Sequence, residues 1–336
     1  MLEWYYIVLI AVAVAAVFLI ALTLMATFSV NAIVFGNRQD KNPDYKYFTP
    51  EEFGLTVEHM PVRLYGVNLS SHIYFVKPVE TCEKVVIFQH GFGAGTSSYM
   101  TEIAHFAKLG YAVVASDAYG CNNSAGKKIL GFYAGAEAVI ATYIGVKGDE
   151  RLKNKPVILV GHSWGAYSVL AACDKIKVDG VVAMSAFNKP AQCLGDMLSS
   201  MGGIVKIYSP FVACGSRVIN FFKFGARGNS SAAKRLKKSG VKALLIHGEK
   251  DKTVKLKHGA AAKCAGKNVE KLILPDKAHN PYNTAAAEDA LARLFKGCCS
   301  NDKQEEERFY AEFDWNVATE EDPAVMEKID GFIANL

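Results

Sequence analysis

The chain has 336 residues, 51% apolar and 21% charged, with a net charge of +5. So much apolar bulk excludes a disordered polymer, and 28 Gly with 10 Pro in no repeating period exclude a collagen-like or low-complexity chain. The length suits two ordinary domains or one large α/β domain with additions, enough to bury a full hydrophobic core.

The first element is apolar and charge-free. No Asp, Glu, Lys or Arg occurs from Trp4 to Asn37, and Tyr5 to Val30 is almost purely aliphatic and aromatic. At about 1.5 Å per residue such a helix is roughly 39 Å long, enough to cross a hydrocarbon core of about 30 Å with some tilt. Trp4, Tyr5 and Tyr6 stand where an interfacial aromatic belt would. A cleaved signal peptide fits less well, because Glu3 replaces a basic leader and the run is too long. Residues 1–35 therefore read as a single-pass membrane anchor. Arg38, Lys41 and Lys46 all follow the span, which by the positive-inside rule places the remainder in the cytoplasm. Three Asn-x-Ser sequons, at Asn68, Asn122 and Asn229, would matter only in a glycosylating lumen. The eight cysteines have no metal-ligand spacing and are scattered as in a reducing compartment, and the Cys298-Cys299 pair reads as a loop feature rather than an acylation site.

Residues 36–54 read as a polar linker broken by Asn-Pro and Thr-Pro. A strand-rich stretch follows, Leu55 to Arg63 and Ser71 to Val76 about a turn at Tyr65 to Asn68. Short apolar runs then alternate with helical segments. The runs are Val85–Phe88, Ala112–Ala115, Val157–Val160, Gly180–Ala183, Ala243–Ile246 and Leu272–Leu274; the helices are Met100–Leu109, Gly131–Ile144, Ala166–Asp174 and Leu256–Cys264. Unbroken Val/Ile/Leu runs suit strands buried on both faces, and the alternation predicts a mostly parallel, doubly wound sheet. Between the Ala183 and Ala243 strands lies far more chain than one helix needs, so an insertion at about 187–239 forms a helical cap. It carries nine Lys or Arg against the single acid Asp196, with apolar bulk such as Ile204, Phe211 and Phe222. That mix fits a lid over an apolar pocket lying against an anionic membrane face, and equally a packed cap with solvated lysines. From Asp302 the chain is acidic and ends in an amphipathic helix through Val325, Ile329 and Ile333. Nothing interleaves basic and aromatic residues as a nucleic-acid surface would.

Three separated motifs carry chemistry. The Val157–Val160 run leads into Gly161-His162-Ser163-Trp164-Gly165 and then a helical Ala-rich stretch, which is Gly-x-Ser-x-Gly in the strand–turn–helix setting that exposes a serine hydroxyl on a sharp turn. A serine needs a base, and the base an orienting group. Asp251 follows the Ala243–Ile246 strand and His279 follows the last one, both on the sheet edge where ligands bind in open α/β folds. The glycine-rich His90-Gly91-Phe92-Gly93-Ala94-Gly95 follows the Val85–Phe88 strand. With the amide of Trp164, the amide of Phe92 is placed to meet a developing oxyanion; the cluster lacks the Gly-Lys-Ser/Thr ending of a P-loop.

These motifs together resemble the α/β-hydrolase superfamily over roughly Leu55 to Leu336: His90-Gly91, the Gly161–Gly165 elbow, His247-Gly-x-x-Asp251-x-x-Val254 and His279. Asp117, in Asp-Ala-Tyr-Gly-x-x-x-Ser124, matches a position that is structural in that family, as do His90, His162 and His247. The resemblance implies an α/β-hydrolase fold over 55–336 with a cap, nearest the monoacylglycerol-lipase-like and serine-peptidase-like branch. It also implies catalytic Ser163, Asp251 and His279, an oxyanion hole at Phe92 and Trp164, and an acyl-enzyme resolved by water. A serine nucleophile argues against the branches that use Asp. No metal and no organic cofactor is implied. The expected substrate is an ester or amide, lipid-like if the cap covers an acyl pocket, with a peptidase, an acyltransferase or a non-catalytic binding protein on the same scaffold as alternatives.

Overall fold

The computed structural model of the chain describes residues 3–297 and 303–336; the Cys298-Cys299 pair and Asp302 lie outside them. In chain order the strands are β1 (Thr56–His59), β2 (Val62–Leu64), β3 (Val67–Leu69), β4 (Ser71–Phe75), β5 (Val85–Gln89), β6 (Ala112–Ser116), β7 (Val157–His162), β8 (Gly180–Met184), β9 (Lys242–Gly248) and β10 (Val269–Leu274). The helices are α1 (Trp4–Phe35), α2 (Met100–Lys108), α3 (Tyr133–Gly148), α4 (Trp164–Ala172), α5 (Pro190–Ser200), α6 (Gly203–Phe224), α7 (Ala232–Ser239), α8 (Ala260–Lys263), α9 (Ala285–Lys296), α10 (Lys303–Glu312), α11 (Trp315–Ala318) and α12 (Pro323–Ala334).

An eight-stranded sheet in the order β1-β4-β6-β5-β7-β8-β9-β10 forms the centre, parallel from β6 to β10 with β4 antiparallel to both neighbours. The six continuous apolar runs fall in its six parallel strands; β5 to β9 are buried on both sides, whereas β10, at the edge of the sheet, is only partly covered. Period-two alternation divides the core. Val85, Ile87, Val157, Leu159, Ala243 and Leu245 face α3, α4 and α7, while Val86, Phe88, Ile158, Val160, Leu244 and Ile246 face α2 and α12. The acidic tail's amphipathic pattern is realised in α12, which buries Val325, Ile329 and Ile333 and starts at a cap in which Asp322 accepts from the Ala324 and Val325 amides. The hairpin β2–β3 turns at Tyr65 and Gly66, both at positive φ, the geometry of a tight two-residue turn.

One predicted helix breaks. Leu256–Cys264 forms a 3-10 turn at Leu256–His258 and only the short α8 beyond it. The reason is tertiary: Gly259 is extended (φ −69°, ψ 156°), it bridges Phe187, and the Ala260 amide donates to the Ala186 carbonyl. Backbone pairing across the fold outweighs local helix propensity there.

The insertion between β8 and β9 folds as α5, α6 and α7. α5 and α6 form an antiparallel hairpin turning at Met201-Gly202-Gly203, with Gly202 and Gly203 at positive φ. α1 is one continuous helix whose N-terminal two-thirds is exposed. Its C-terminal part buries Thr27, Asn31 and Phe35, packing on α6 and the core. The polar stretch after α1 is held down rather than loose. The Arg38 guanidinium donates to the Asn122, Ser124 and Gly126 carbonyls, and Gln39 exchanges backbone hydrogen bonds with the Gly120–Asn122 loop.

Candidate active site

β7 ends at His162 and α4 begins at Trp164, so Ser163 alone makes the turn, at φ 55° and ψ −114°. A non-glycine residue adopts that conformation only when its surroundings impose it. Here they do. The Ser163 amide donates to Met184 O at 2.8 Å, and its carbonyl accepts from the Tyr167 amide at 3.0 Å. The flanking glycines are required by space: a side chain on Gly165 would collide with the Gln89 and His90 carbonyls, and one on Gly161 with Gly165.

The Ser163 hydroxyl donates to His279 Nε2 at 2.9 Å, and His279 Nδ1–H donates to Asp251 Oδ2 at 2.9 Å. The other Asp251 oxygen accepts from the Thr253 and Val254 amides at 2.9 and 2.8 Å. Burial alone would push the Asp251 carboxyl up, but the His279 hydrogen bond and charge, together with the Val254 amide, hold it below the usual carboxylate range. An ionised, fully hydrogen-bonded carboxylate fixes the tautomer in which Nε2 is free to accept the serine proton. The three residues predicted from separate loops therefore meet at one rim of the sheet. Phe92 and Trp164 reach the same rim, their rings 5.6 Å apart, and among the described residues neither amide has an acceptor.

The other histidines of the motifs hold backbone. His90 Nδ1–H donates to Gly91 O at 2.8 Å while Nε2 accepts from the Ala118 amide at 2.9 Å. His247 Nε2–H donates to Val254 O at 2.9 Å, bracing the turn that presents Asp251. His162 Nδ1 accepts from the Tyr99 hydroxyl at 2.9 Å, and Nε2–H donates to the His279 carbonyl at 2.9 Å. Burial, then the adjacent His279 ring, push His162 down to about 3, so it stays neutral. Asp117 accepts from the Thr96 and Asn123 amides and so joins two loops.

Sequence reasoning passed over three contributors. Tyr99 donates to His162 and accepts from the Gly91 amide; Gln39 Oε1 accepts from the Gly93 amide at 2.6 Å; Phe35 packs edge-on against Phe92 and Phe132. No local pattern marks them, since each acquires its role from a contact distant in sequence. A cavity of about 1090 Å³ opens at Ser163 and His279 and runs between the chain after α1, α5 and the α9–α11 region, with Phe48, Phe187, Met197, Leu291, Leu294 and Trp315 on its walls. Among the described residues no group of His, Cys, Asp and Glu has the arrangement of a metal site.

Comparison with known proteins agrees with this architecture. The model of the alpha/beta hydrolase fold family matches residues 84–206, which include Ser163 but end before Asp251 and His279. Over 130 residues, 38% of this chain and 39% of the relative, the chain is 25% identical to the proline iminopeptidase of Saccharolobus solfataricus. Over 102 residues, 28% of this chain and 22% of the relative, it is 31% identical to the human protein ABHD8. The chain thus spans well under half the length of these relatives. Among solved structures, the Pyrococcus furiosus esterase Pf2001 superposes with a TM-score of 0.55 at 20% identity, covering 72% of this chain and 90% of that one. The Pyrococcus horikoshii acylaminoacyl peptidase superposes with a TM-score of 0.51 at 15% identity, covering 67% and 38%. The chain has the α/β-hydrolase fold, and the family's model matches the part of it that holds Ser163.

Proposed function

We propose that this protein is a membrane-anchored serine hydrolase that cleaves a carboxylic ester of apolar, lipid-like character. The observation that carries the reading is the unbroken relay of two 2.9 Å hydrogen bonds from Ser163 through His279 to the buried Asp251. Ser163 Oγ bonds to the substrate carbonyl carbon as its proton passes to His279 Nε2. Asp251 keeps the imidazolium oriented, and the Phe92 and Trp164 amides receive the oxyanion. Collapse breaks the ester bond, and the leaving alkoxide takes the proton from Nε2. Water, deprotonated by the same nitrogen, then releases the acid and restores Ser163. The apolar walls of the cavity favour a long acyl or alkyl group over a charged peptide.

The anchor is α1, 32 residues long, charge-free and exposed over the length a bilayer would cover. A cytoplasmic orientation agrees with Arg38, Lys41 and Lys46 behind the span. It also agrees with the sequon Asn229, whose amide nitrogen is engaged by the Arg217 carbonyl at 2.8 Å. The test is fluorophosphonate labelling and p-nitrophenyl ester turnover, both expected in the native protein and absent in Ser163→Ala; turnover unchanged in that variant removes the mechanism.

A further inference from the structure

His279 stands on a stretch between β10 and α9 that is neither strand nor helix, and residues 275–280 are exposed or only half-buried. Close packing does not fix such a segment, so the direction of the imidazole depends on what bonds the backbone there. Glu288 supplies that hold. Its Oε2 accepts from the Ala278 amide at 2.9 Å and its Oε1 from the Asn280 amide at 3.2 Å, so one carboxylate brackets His279 from both sides. Bonds from amides to a carboxylate are of the charge-assisted, stronger kind.

Each of those amides belongs to a peptide unit whose carbonyl is also held. The unit joining Lys277 to Ala278 has its carbonyl on the Lys250 amide at 3.0 Å. The unit joining His279 to Asn280 has its carbonyl on His162 Nε2–H at 2.9 Å. Two rigid peptide planes are thus pinned at both ends, one before Ala278 and one after His279, which leaves little freedom in the φ and ψ between them. The backbone then directs the His279 side chain, and the Asp251 bond at Nδ1 sets the ring.

The local sequence makes the clamp possible. Thr284 caps α9, accepting from the Ala287 amide at 3.2 Å, so Glu288 falls in the first turn. Helical side chains lean toward the N-terminus of their helix, which aims this one back over the loop that precedes α9. The helix is a firm base for it: Ala287, Ala290 and Leu294 are buried, α9 packs on α11, and the Thr284 amide donates to the Glu320 carbonyl at 3.0 Å. A carboxylate in a first turn also answers the helix dipole. That role needs only the charge, whereas the clamp needs two acceptor oxygens, one for each amide.

We propose that Glu288 is a positioning residue for His279, holding the peptide units on either side of it so that Nε2 stays within reach of Ser163. The inference rests on reading His279 as the base of a serine hydrolase.

The test compares the native protein, Glu288→Gln and Glu288→Ala in p-nitrophenyl butyrate turnover, with Tm measured for each and Ser163→Ala as the blank. Glu288→Ala is expected to lose kcat on the order of 10- to 100-fold with KM within about twofold of native, the scale of a small misplacement of a catalytic group. Glu288→Gln keeps one acceptor oxygen and no charge, so its kcat should lie between the two, about 3- to 10-fold below native. The rate of fluorophosphonate labelling, which also needs the base, should fall in the same order. Equal losses of kcat in the two variants assign Glu288 to the helix dipole and overturn the clamp; native kcat in both overturns it too. A rise in KM with kcat unchanged makes Glu288 a substrate contact and overturns it as well. Should Glu288→Ala not fold, Glu288→Gln decides against native: lower kcat at constant KM supports the clamp, and native kcat overturns it. A native protein that shows neither turnover nor labelling removes the hydrolase reading and the proposal with it, whereas failure of the clamp alone leaves native turnover intact.

Discussion

Gln39 Oε1 accepts a hydrogen bond from the Gly93 amide at 2.6 Å, tying the chain that leaves the apolar helix to the loop next to Phe92. Phe35, one turn earlier, meets the Phe92 ring edge-on at 5.9 Å. An oxyanion donor acts only if its amide is held where charge develops, so this contact bears on rate more than on binding. Gln39→Ala is expected to lower kcat on the order of 10-fold with little change in KM. Gln39→Glu keeps the acceptor and should recover most of the loss. Steady-state kinetics on a soluble ester decide it; equal changes in kcat and KM in the Ala variant would assign Gln39 a different role.

The turn at Ser163 stores strain that the proposed nucleophile requires and stability does not. With φ at 55° and ψ at −114°, the position favours glycine. Ser163→Gly should abolish turnover yet raise stability by about 1–3 kcal/mol, a rise of several degrees in Tm for a domain of this size. Gly165→Ala should act oppositely, losing about 3 kcal/mol or more, because the new methyl group meets the Gln89 carbonyl and neither backbone can yield. Differential scanning calorimetry of the two variants beside the native protein checks both signs.

What sequence reveals here follows from what is local. The β7 run, the two tight glycines and Ser163 lie within one continuous segment, so the constraint that makes the sharp strand-to-helix turn is written in adjacent residues. Asp251 and His279 come to the same rim because each follows a strand of the parallel sheet, and parallel strands end on one edge. Tyr99, Gln39 and Phe35 are not legible in the sequence. Tyr99 serves by reaching His162 and Gln39 by reaching Gly93, contacts that exist only once the sheet has formed. Local helical pattern misled at Gly259 for the same reason, since its backbone is committed to a partner in another loop.

The junction of α2 with the C-terminal helix makes stability depend on pH. His105 Nε2–H donates to Asp330 at 2.9 Å, and Nδ1 lies 3.4 Å from Glu321. Burial alone would lower this histidine, but the Asp330 and Glu321 hydrogen bonds outweigh it and push it up to about 9. Neighbouring Glu102 is pushed up to about 8, by burial first and then by Glu321. Both groups bind protons more tightly folded than unfolded, so stability falls as pH rises. The His105 contribution is complete below about 6.5, its unfolded value, and is lost through about 9. Tm should decline across that window, and His105→Gln should lower Tm at pH 6 while flattening the decline. A native Tm that is constant from pH 6.5 to 9 would contradict the sign.

His162 sits between His279, the proposed base, and the core, and its charge state predicts what its loss does. It remains neutral near neutrality because burial and the His279 ring hold it at about 3. Nε2–H supports the His279 carbonyl and Nδ1 takes the Tyr99 hydroxyl, so the ring fixes the backbone of the base rather than moving a proton. His162→Leu leaves that carbonyl and hydroxyl without their partner, and the imidazole of His279 loses its support from below. A drop in kcat on the order of 10- to 100-fold is expected, the scale of a small misplacement of a catalytic group. The acid limb of kcat/KM should have the same slope in native and variant enzymes, because His162 stays neutral across it. A native limb with the slope of two protons, reduced to one in His162→Leu, would make His162 a titrating partner and falsify its neutral, positioning role.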